Sequence, residues 1–219
     1  MNRGYHEIKE HGKREFPFNI YPCSIPVDFS HVALHWHEEM EIIAVKKGKG
    51  RITVDTVSYP VEEGDILAVF PGQLHAISCG NGERMEYENI IFRLSMLMGD
   101  NGDGCTVHFL KPLQEGQAKN PVLIQRNQPD HEVFGKVIQE LDRFSEIRGN
   151  GYQLAVKGQL FLFLYYAYGR GILFTEKKPG HAREKIKGIL EYIREHFGEE
   201  ITIRQAAELC FYSESHFMK

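Results

Sequence analysis

Apolar and polar positions alternate in short runs across residues 16–125. The segments 32–36, 40–46, 51–56, 66–70, 74–79, 85–94 and 106–110 are rich in Val, Ile, Phe and Thr. Turn-forming clusters separate them: Lys47-Gly48-Lys49-Gly50, Glu62-Glu63-Gly64-Asp65, Pro71-Gly72 and Gly80-Asn81-Gly82. Short strands at even spacing, with Gly-rich turns, predict a small all-β barrel or sandwich. The run 99–104 predicts a surface loop.

From Asp130 the period changes to 3.6. Asp130 is placed as an N-cap, and Val133, Phe134, Val137, Ile138, Leu141, Phe144 and Ile147 form one apolar stripe. Arg148-Gly149-Asn150-Gly151 ends that helix. A second helix over about 152–168 is apolar nearly all round and must be buried on several faces. Glu176-Lys177-Lys178-Pro179-Gly180 reads as a polar linker. A third helix over 182–197 presents Ile186, Ile189, Leu190, Ile193 and Phe197, with Gly198 as its C′ glycine. Thr202 and Gln205 have capping-box spacing and open a helix through Cys210. Ser213 is placed to cap a further helix.

Composition narrows the class. The chain has 219 residues, 42% apolar and 11% aromatic, with a net charge of −4, which excludes disorder as its main state. The longest apolar stretch, 160–167, is far short of the roughly 18 residues that span a bilayer. No apolar h-region follows Met1, so a cytoplasmic protein is expected. Cys23, Cys79, Cys105 and Cys210 lie far apart with no Cys-x-x-Cys, consistent with reduced thiols. Histidine is the unusual count, at 11.

Four residues carry the first chemical signal. In an extended chain His35 and His37 point to one face, and Glu41 shares their parity. Downstream, the turn at Pro71-Gly72 delivers His75. Trp36 points to the opposite face and is not expected to stack on a ligand.

This segment resembles the cupin superfamily. His35, His37, Glu41 and Gly48 match its first motif, and Gly64, Gly72 and His75 match its second. The resemblance implies three imidazoles and a carboxylate at one site, a set that suits Zn, Fe, Ni or Mn with positions open for solvent or a ligand. A metal-free effector pocket and a structural role remain alternative uses of the same residues. The departures are Phe29 where a glycine is expected and Cys79 where an asparagine is expected; Pro71 also lies directly beside Gly72. Further on, 201–217 is similar to the first helix-turn-helix of the AraC family of transcriptional regulators, and 189–197 matches the helix before it. Phe211 stands where that family often has a turn glycine. The resemblance implies that a recognition helix starts at Ser213, with Ser215 and Lys219 facing DNA and His216 flanking them. Over 181–219 six basic residues face seven acidic ones, so this piece is no basic patch.

The expected fold class is α+β: an N-terminal cupin β-barrel or jelly roll, a helical pair, then a partial all-α helix-turn-helix segment. The expected divisions are an arm over 1–19, an effector-sensing barrel over 20–127, dimerisation helices over 128–173, a linker over 174–181 and a shortened helix-turn-helix over 182–219. The family's second helix-turn-helix is expected to be missing, which would leave DNA binding weak or absent. The expected function is a non-enzymatic regulator. Its pocket of His35, His37, Glu41 and His75 would bind a small effector, for instance a sugar, with or without a divalent transition metal. Leu160, Phe163 and Tyr166 are the candidate dimerisation residues of a homodimer, and Ser213, Ser215, His216 and Lys219 the candidate DNA contacts. A metal-dependent cupin enzyme, an isomerase or dioxygenase, is the alternative, and a non-catalytic sugar-binding module a third reading.

Overall fold

A computed structural model describes residues 5–7, 9–172, 174, 181–199, 201–209 and 214, with side chains of 181–186 and 194 left aside. Among these residues eight strands precede the main helices: β1 (Phe18–Ile25), β2 (Val32–His35), β3 (Met40–Val54), β4 (Val57–Glu62), β5 (Ile66–Val69), β6 (His75–Ser78), β7 (Met85–Phe92) and β8 (Val122–Ile124). One face runs β1-β7-β3-β5-β8, the other joins β4, β3, β6 and β2, and every pairing is antiparallel. The fold is therefore a cupin-like barrel followed by helices, as the sequence predicts.

The barrel closes because β3 belongs to both faces. Its first half pairs with β5 and β7, its second half with β4 and β6. The sequence predicts two strands with a turn at residues 47–50; the structure replaces that turn with a bulge between Val45 and Lys47. Gly48 sits there at φ +78°, where a Cβ would lie 2.1 Å from the Arg84 carbonyl oxygen. The extra residue switches the inward parity of the strand: Ile43 and Val45 line the interior before it, Ile52 and Val54 after it. The hairpin turn comes later, at Asp55, which adopts φ +52° between paired Val54 and Val57.

A second correction concerns 106–110. This β-rich run forms a π-type turn, Thr106–Leu110, that continues into α1 (Lys111–Gln114). Asp103 caps it, accepting from the backbone N–H groups of Cys105 and Thr106 and from the Thr106 hydroxyl. Capping outweighs the β preference of Thr and Val. Strands β1, β4 and β8 are absent from the predicted set. Cys23, Cys79 and Cys105 are free thiols.

The helical pair is α2 (His131–Ile147) and α3 (Tyr152–Gly169). It packs on the outer barrel face, where Met40, Ile42, Ala44, Ile90 and Phe92 meet Phe134, Leu141, Leu160 and Phe163 in one core. Asp130 makes no side-chain cap; instead both its carboxylate oxygens accept from Arg170, which also donates to the Leu123 carbonyl and ties α3 to β8. Lys46, the bulge residue, bridges Glu88 at 2.6 Å and Asp142 of α2 at 3.0 Å.

The proposed dimerisation residues need correcting. Leu160 and Phe163 are completely buried in the protein's own core, and Tyr166 packs edge-on against Phe134. The exposed face of α3 carries Leu154, Phe161, Leu162 and Tyr165 instead. A helix apolar all round gives no sequence signal for which face its own neighbour takes.

Two further helices follow, α4 (His181–Glu195) and α5 (Ile203–Leu209). The capping box forms: the Thr202 N–H donates to Gln205 Oε1, and the Gln205 N–H to Thr202 Oγ1. Ala206 and Ala207 of α5 are buried. Ser213, Ser215, His216 and Lys219 lie outside the described residues. No described helix is long and apolar enough to cross a membrane.

The glycines give a direct test of the strand-sharing geometry. Gly48→Ala is expected to cost at least about 2 kcal/mol, since it adds a clash to an unfavourable φ. Gly135→Ala, inside α2 with no side-chain atom closer than 4.0 Å, should instead stabilise by about 0.5–1 kcal/mol. Urea denaturation of both variants checks the contrast.

Candidate functional site

The barrel topology brings the four predicted pocket residues to one point. β2 pairs with β6 so that His35 lies directly opposite His75, and their rings are 4.1 Å apart. Glu41, the second residue of β3, faces inward from the neighbouring strand. His37 lies in the link between β2 and β3, where its carbonyl accepts from the Gly72 N–H at 2.8 Å. Gly72 has φ +76°. That bond fastens the link to the turn preceding His75. One ligand-type atom from each of His35, His37, Glu41 and His75 lies within 4.8 Å of all the others.

The wiring of the rings decides what the cluster can hold. Each imidazole directs Nδ1 at a backbone carbonyl: His35 to Ala33 at 2.9 Å, His37 to Glu39 at 3.1 Å and His75 to Gln73 at 3.0 Å. A carbonyl only accepts, so each Nδ1 carries the proton and each neutral ring turns a lone pair on Nε2 toward the centre. Glu41 Oε2 is also an acceptor, yet it lies 3.0 Å from His37 Nε2 and 3.1 Å from His75 Nε2. Acceptors at this distance require positive charge between them, supplied by protons or by a metal ion. The donor set fits a divalent transition metal: three imidazole nitrogens with fixed tautomers and one carboxylate.

Electrostatics follows the same logic. Glu41 is fully buried, and desolvation alone would raise its pKa, but His75 and His37 together hold it well below the usual carboxylate value. Burial pushes His37 down, and the hydrogen bond and charge of Glu41 reverse this to a net increase. His35 is pushed down to about 4 by burial and then by the charge of His75.

Residues that sequence reasoning missed surround the cluster. Glu7 Oε2 approaches His35 Nε2 at 3.6 Å. His11, itself buried, lies 6.1 Å from the His37 ring and shares a hydrogen bond with the Tyr21 hydroxyl. The arm is held by main-chain bonds, from the Glu7 N–H to the Trp36 carbonyl at 2.9 Å and from the Trp36 N–H to the Tyr5 carbonyl at 2.6 Å. Glu39, also buried, accepts from Arg93 Nε at 2.7 Å. The high histidine count was the one hint of His11; no local spacing links the arm to β2. Trp36 does face away from the cluster, stacking on His6 at 4.0 Å.

The chain is similar in sequence to known proteins. The family model described as the AraC-like ligand binding domain matches residues 26–164. An HTH-type transcriptional regulator of Bacillus subtilis (strain 168), YdeC, is 20% identical over 210 residues, which is 95% of this chain and 71% of that protein. A second from the same strain, YbfI, is 25% identical over 191 residues, covering 84% of this chain and 63% of the relative. The solved structure of ToxT from Vibrio cholerae O395 aligns with a TM-score of 0.42 and 15% identity, over 94% of this chain and 73% of that one.

The metal-free protein should be acid-sensitive through His35. Its folded pKa of about 4 lies below the ordinary value of 6.5, so the unfolded chain takes up the proton first. Stability is therefore lost as pH falls from 6.5 toward 4, by roughly 2 kcal/mol at pH 5. His35→Gln is expected to remove that part of the loss. Denaturant titrations at pH 7.5 and pH 5, with a chelator present, measure the difference.

Proposed function

The chain belongs to the family of the AraC-like ligand-binding domain, which its residues 26–164 match, and on that premise we propose that its barrel senses a small effector at His35, His37, Glu41 and His75 through a bound divalent transition metal. The observation that carries this reading is the orientation of the three rings. Each Nδ1 is committed to a carbonyl, and three Nε2 atoms and Glu41 converge on one buried point. A bound ion would neutralise Glu41 and offer open positions to an oxygen or nitrogen of the effector. The relatives are transcriptional regulators, and the output of this chain is accordingly control of transcription. DNA contact is assigned to the segment opened by α5, including Ser213, Ser215, His216 and Lys219, within a cytoplasmic protein.

The arm gives the sensor a moving part. Glu7 and His11 lie beside His35 and His37, so an effector reaching the ligand atoms must displace them. Two states, arm on and arm off, are then biased by ligand. The divisions that fit this reading are the arm over 1–19, the sensing barrel over 20–127, the helical pair over 128–173, the linker over 174–181 and the DNA-binding segment from 182. A sugar is one effector class that would suit oxygen coordination. The same ligand set would serve a metal-dependent isomerase or dioxygenase, but burial under the arm suits stoichiometric binding better than turnover.

The protein is further proposed to be a homodimer, through the outer face of α3. Leu154, Phe161 and Tyr165 recur at helical spacing on that face and are 77%, 40% and 71% exposed. Beside them an apolar crevice of about 230 Å³ runs between Phe161, Tyr165, Phe109 and Tyr168. Exposed aromatic groups around such a crevice mark an interaction surface.

Metal analysis tests the sensor reading. Zn, Ni or Mn added to chelator-treated protein should raise stability by about 4 kcal/mol at a thousandfold excess over Kd. His75→Ala removes a proposed ligand and should weaken binding by more than the roughly 10–100-fold lost with an outer-shell partner, and affinity should fall as acid protonates the same Nε2 atoms. A protein that binds none of these ions, with melting unaffected by metal or chelator, would exclude the metal. For the dimer, Tyr165→Glu combined with Phe161→Glu should convert a dimer to a folded monomer in light scattering. A wild-type monomer at high concentration would overturn that assignment.

A further inference from the structure

A crevice outside the barrel lies on the far side of the β2–β3 link from the His/Glu cluster. Its volume is about 370 Å³, and it shares none of the four cluster residues. Trp36 and Glu38 enter from the β2–β3 link, Arg93 and Leu94 from the segment after β7, Glu115 from the end of α1, and Lys187 from α4. Two of these are already fixed in place. Arg93 is held by Nε donation to the buried Glu39 at 2.7 Å, with half of its side chain still exposed. The Lys187 ammonium lies 3.5 Å from the centre of the Trp36 ring.

The lining is balanced in charge, with two cations and two carboxylates around an apolar surface of indole and leucine. An anion drawn to Arg93 and Lys187 meets Glu38 and Glu115 in the same crevice, and a cation meets the reverse. A molecule bearing both charges satisfies both sets. The volume stands at the lower end of the roughly 300–1,000 Å³ typical of small-molecule sites, which limits the ligand to a small metabolite.

We propose that this crevice is a second small-molecule site, separate from the His/Glu cluster, for a zwitterion of amino-acid size. Its carboxylate is held by Arg93 and Lys187, its ammonium group by Glu38 and Glu115, and its apolar portion by Trp36 and Leu94. Lys187 is the wall residue contributed by α4, so occupancy ties α4 to the sensor barrel. The site thereby links ligand binding to the helices that follow the barrel, whether or not the cluster holds a metal.

Trp36 is the single tryptophan of the chain, so its emission reports the site directly. The full chain is titrated with leucine, methionine and glutamine, followed by fluorescence and calorimetry, with and without EDTA. At least one should give saturable binding that EDTA leaves unchanged. Glu115→Gln, at an exposed position, and Lys187→Met, at a half-buried one, should each weaken it about tenfold or more, the scale of one lost hydrogen bond to a charged group. 4-Methylpentanoate and isopentylamine, the single-charge analogues of leucine, should bind about tenfold more weakly than the zwitterion. The proposal is overturned if none of the three amino acids binds, if either analogue binds as tightly, or if both variants keep full affinity. Binding abolished by EDTA would place the ligand in the His/Glu cluster and overturn it as well.

Discussion

The structure depends on one strand serving two sheet faces. β3 runs for 15 residues and pairs with β4, β5, β6 and β7, so the barrel exists only if this strand bends without breaking its ladder. The bulge at residues 45–48 does that. Gly48 accepts a left-handed φ and lets the Arg84 carbonyl approach where any side chain would collide. The extra residue, Lys46, turns outward to Glu88 and Asp142 and fixes α2 to the barrel. Glu41, Ile43 and Val45 turn inward on the near side of the bulge, and Ile52 and Val54 on the far side. Position of the buried Glu41 carboxylate and packing of the helical pair thus follow from one local distortion.

The barrel concentrates an electrostatic conflict at its closed interior. A buried carboxylate is costly unless compensated, and Glu41 is compensated by rings whose outer nitrogens are already occupied by carbonyls. Their inner nitrogens can stabilise it only by carrying protons or sharing a cation. His35 and His37 respond in opposite senses, since His37 hydrogen-bonds the carboxylate whereas His35 meets chiefly burial and a neighbouring imidazole. The arm adds a cover of polar residues, Glu7 and His11, each placed beside a different imidazole.

The connection between the sensor and the following helices passes through Trp36. This residue lies between two cluster histidines, and extended geometry sends its side chain to the other side of the link. It meets His6 of the arm there and Lys187 of α4. Arm, cluster and α4 therefore meet around three consecutive residues, His35-Trp36-His37.

Much of this was legible in the residues themselves. Alternation and Gly-rich turns specify the barrel, the 3.6 period specifies α2 through α4, and Thr202 and Gln205 specify the start of α5, because each is a local preference. The spacing of His35, His37 and Glu41 put those three on one face, since strand parity is a local rule, and resemblance to the cupin motifs added His75. The tertiary structure decided what depends on distant neighbours. It turned an expected turn at Gly48 into a bulge, because β7 passes there. It turned the β-rich 106–110 into a helical turn, because Asp103 caps it. It chose which side of the all-apolar α3 faces the protein's own core, burying Leu160 and Phe163 and exposing Phe161 and Tyr165. It also brought Glu7 and His11 to the cluster across a separation in sequence that no periodicity encodes. Local pattern fixes elements and parity; only packing decides which parity meets which partner.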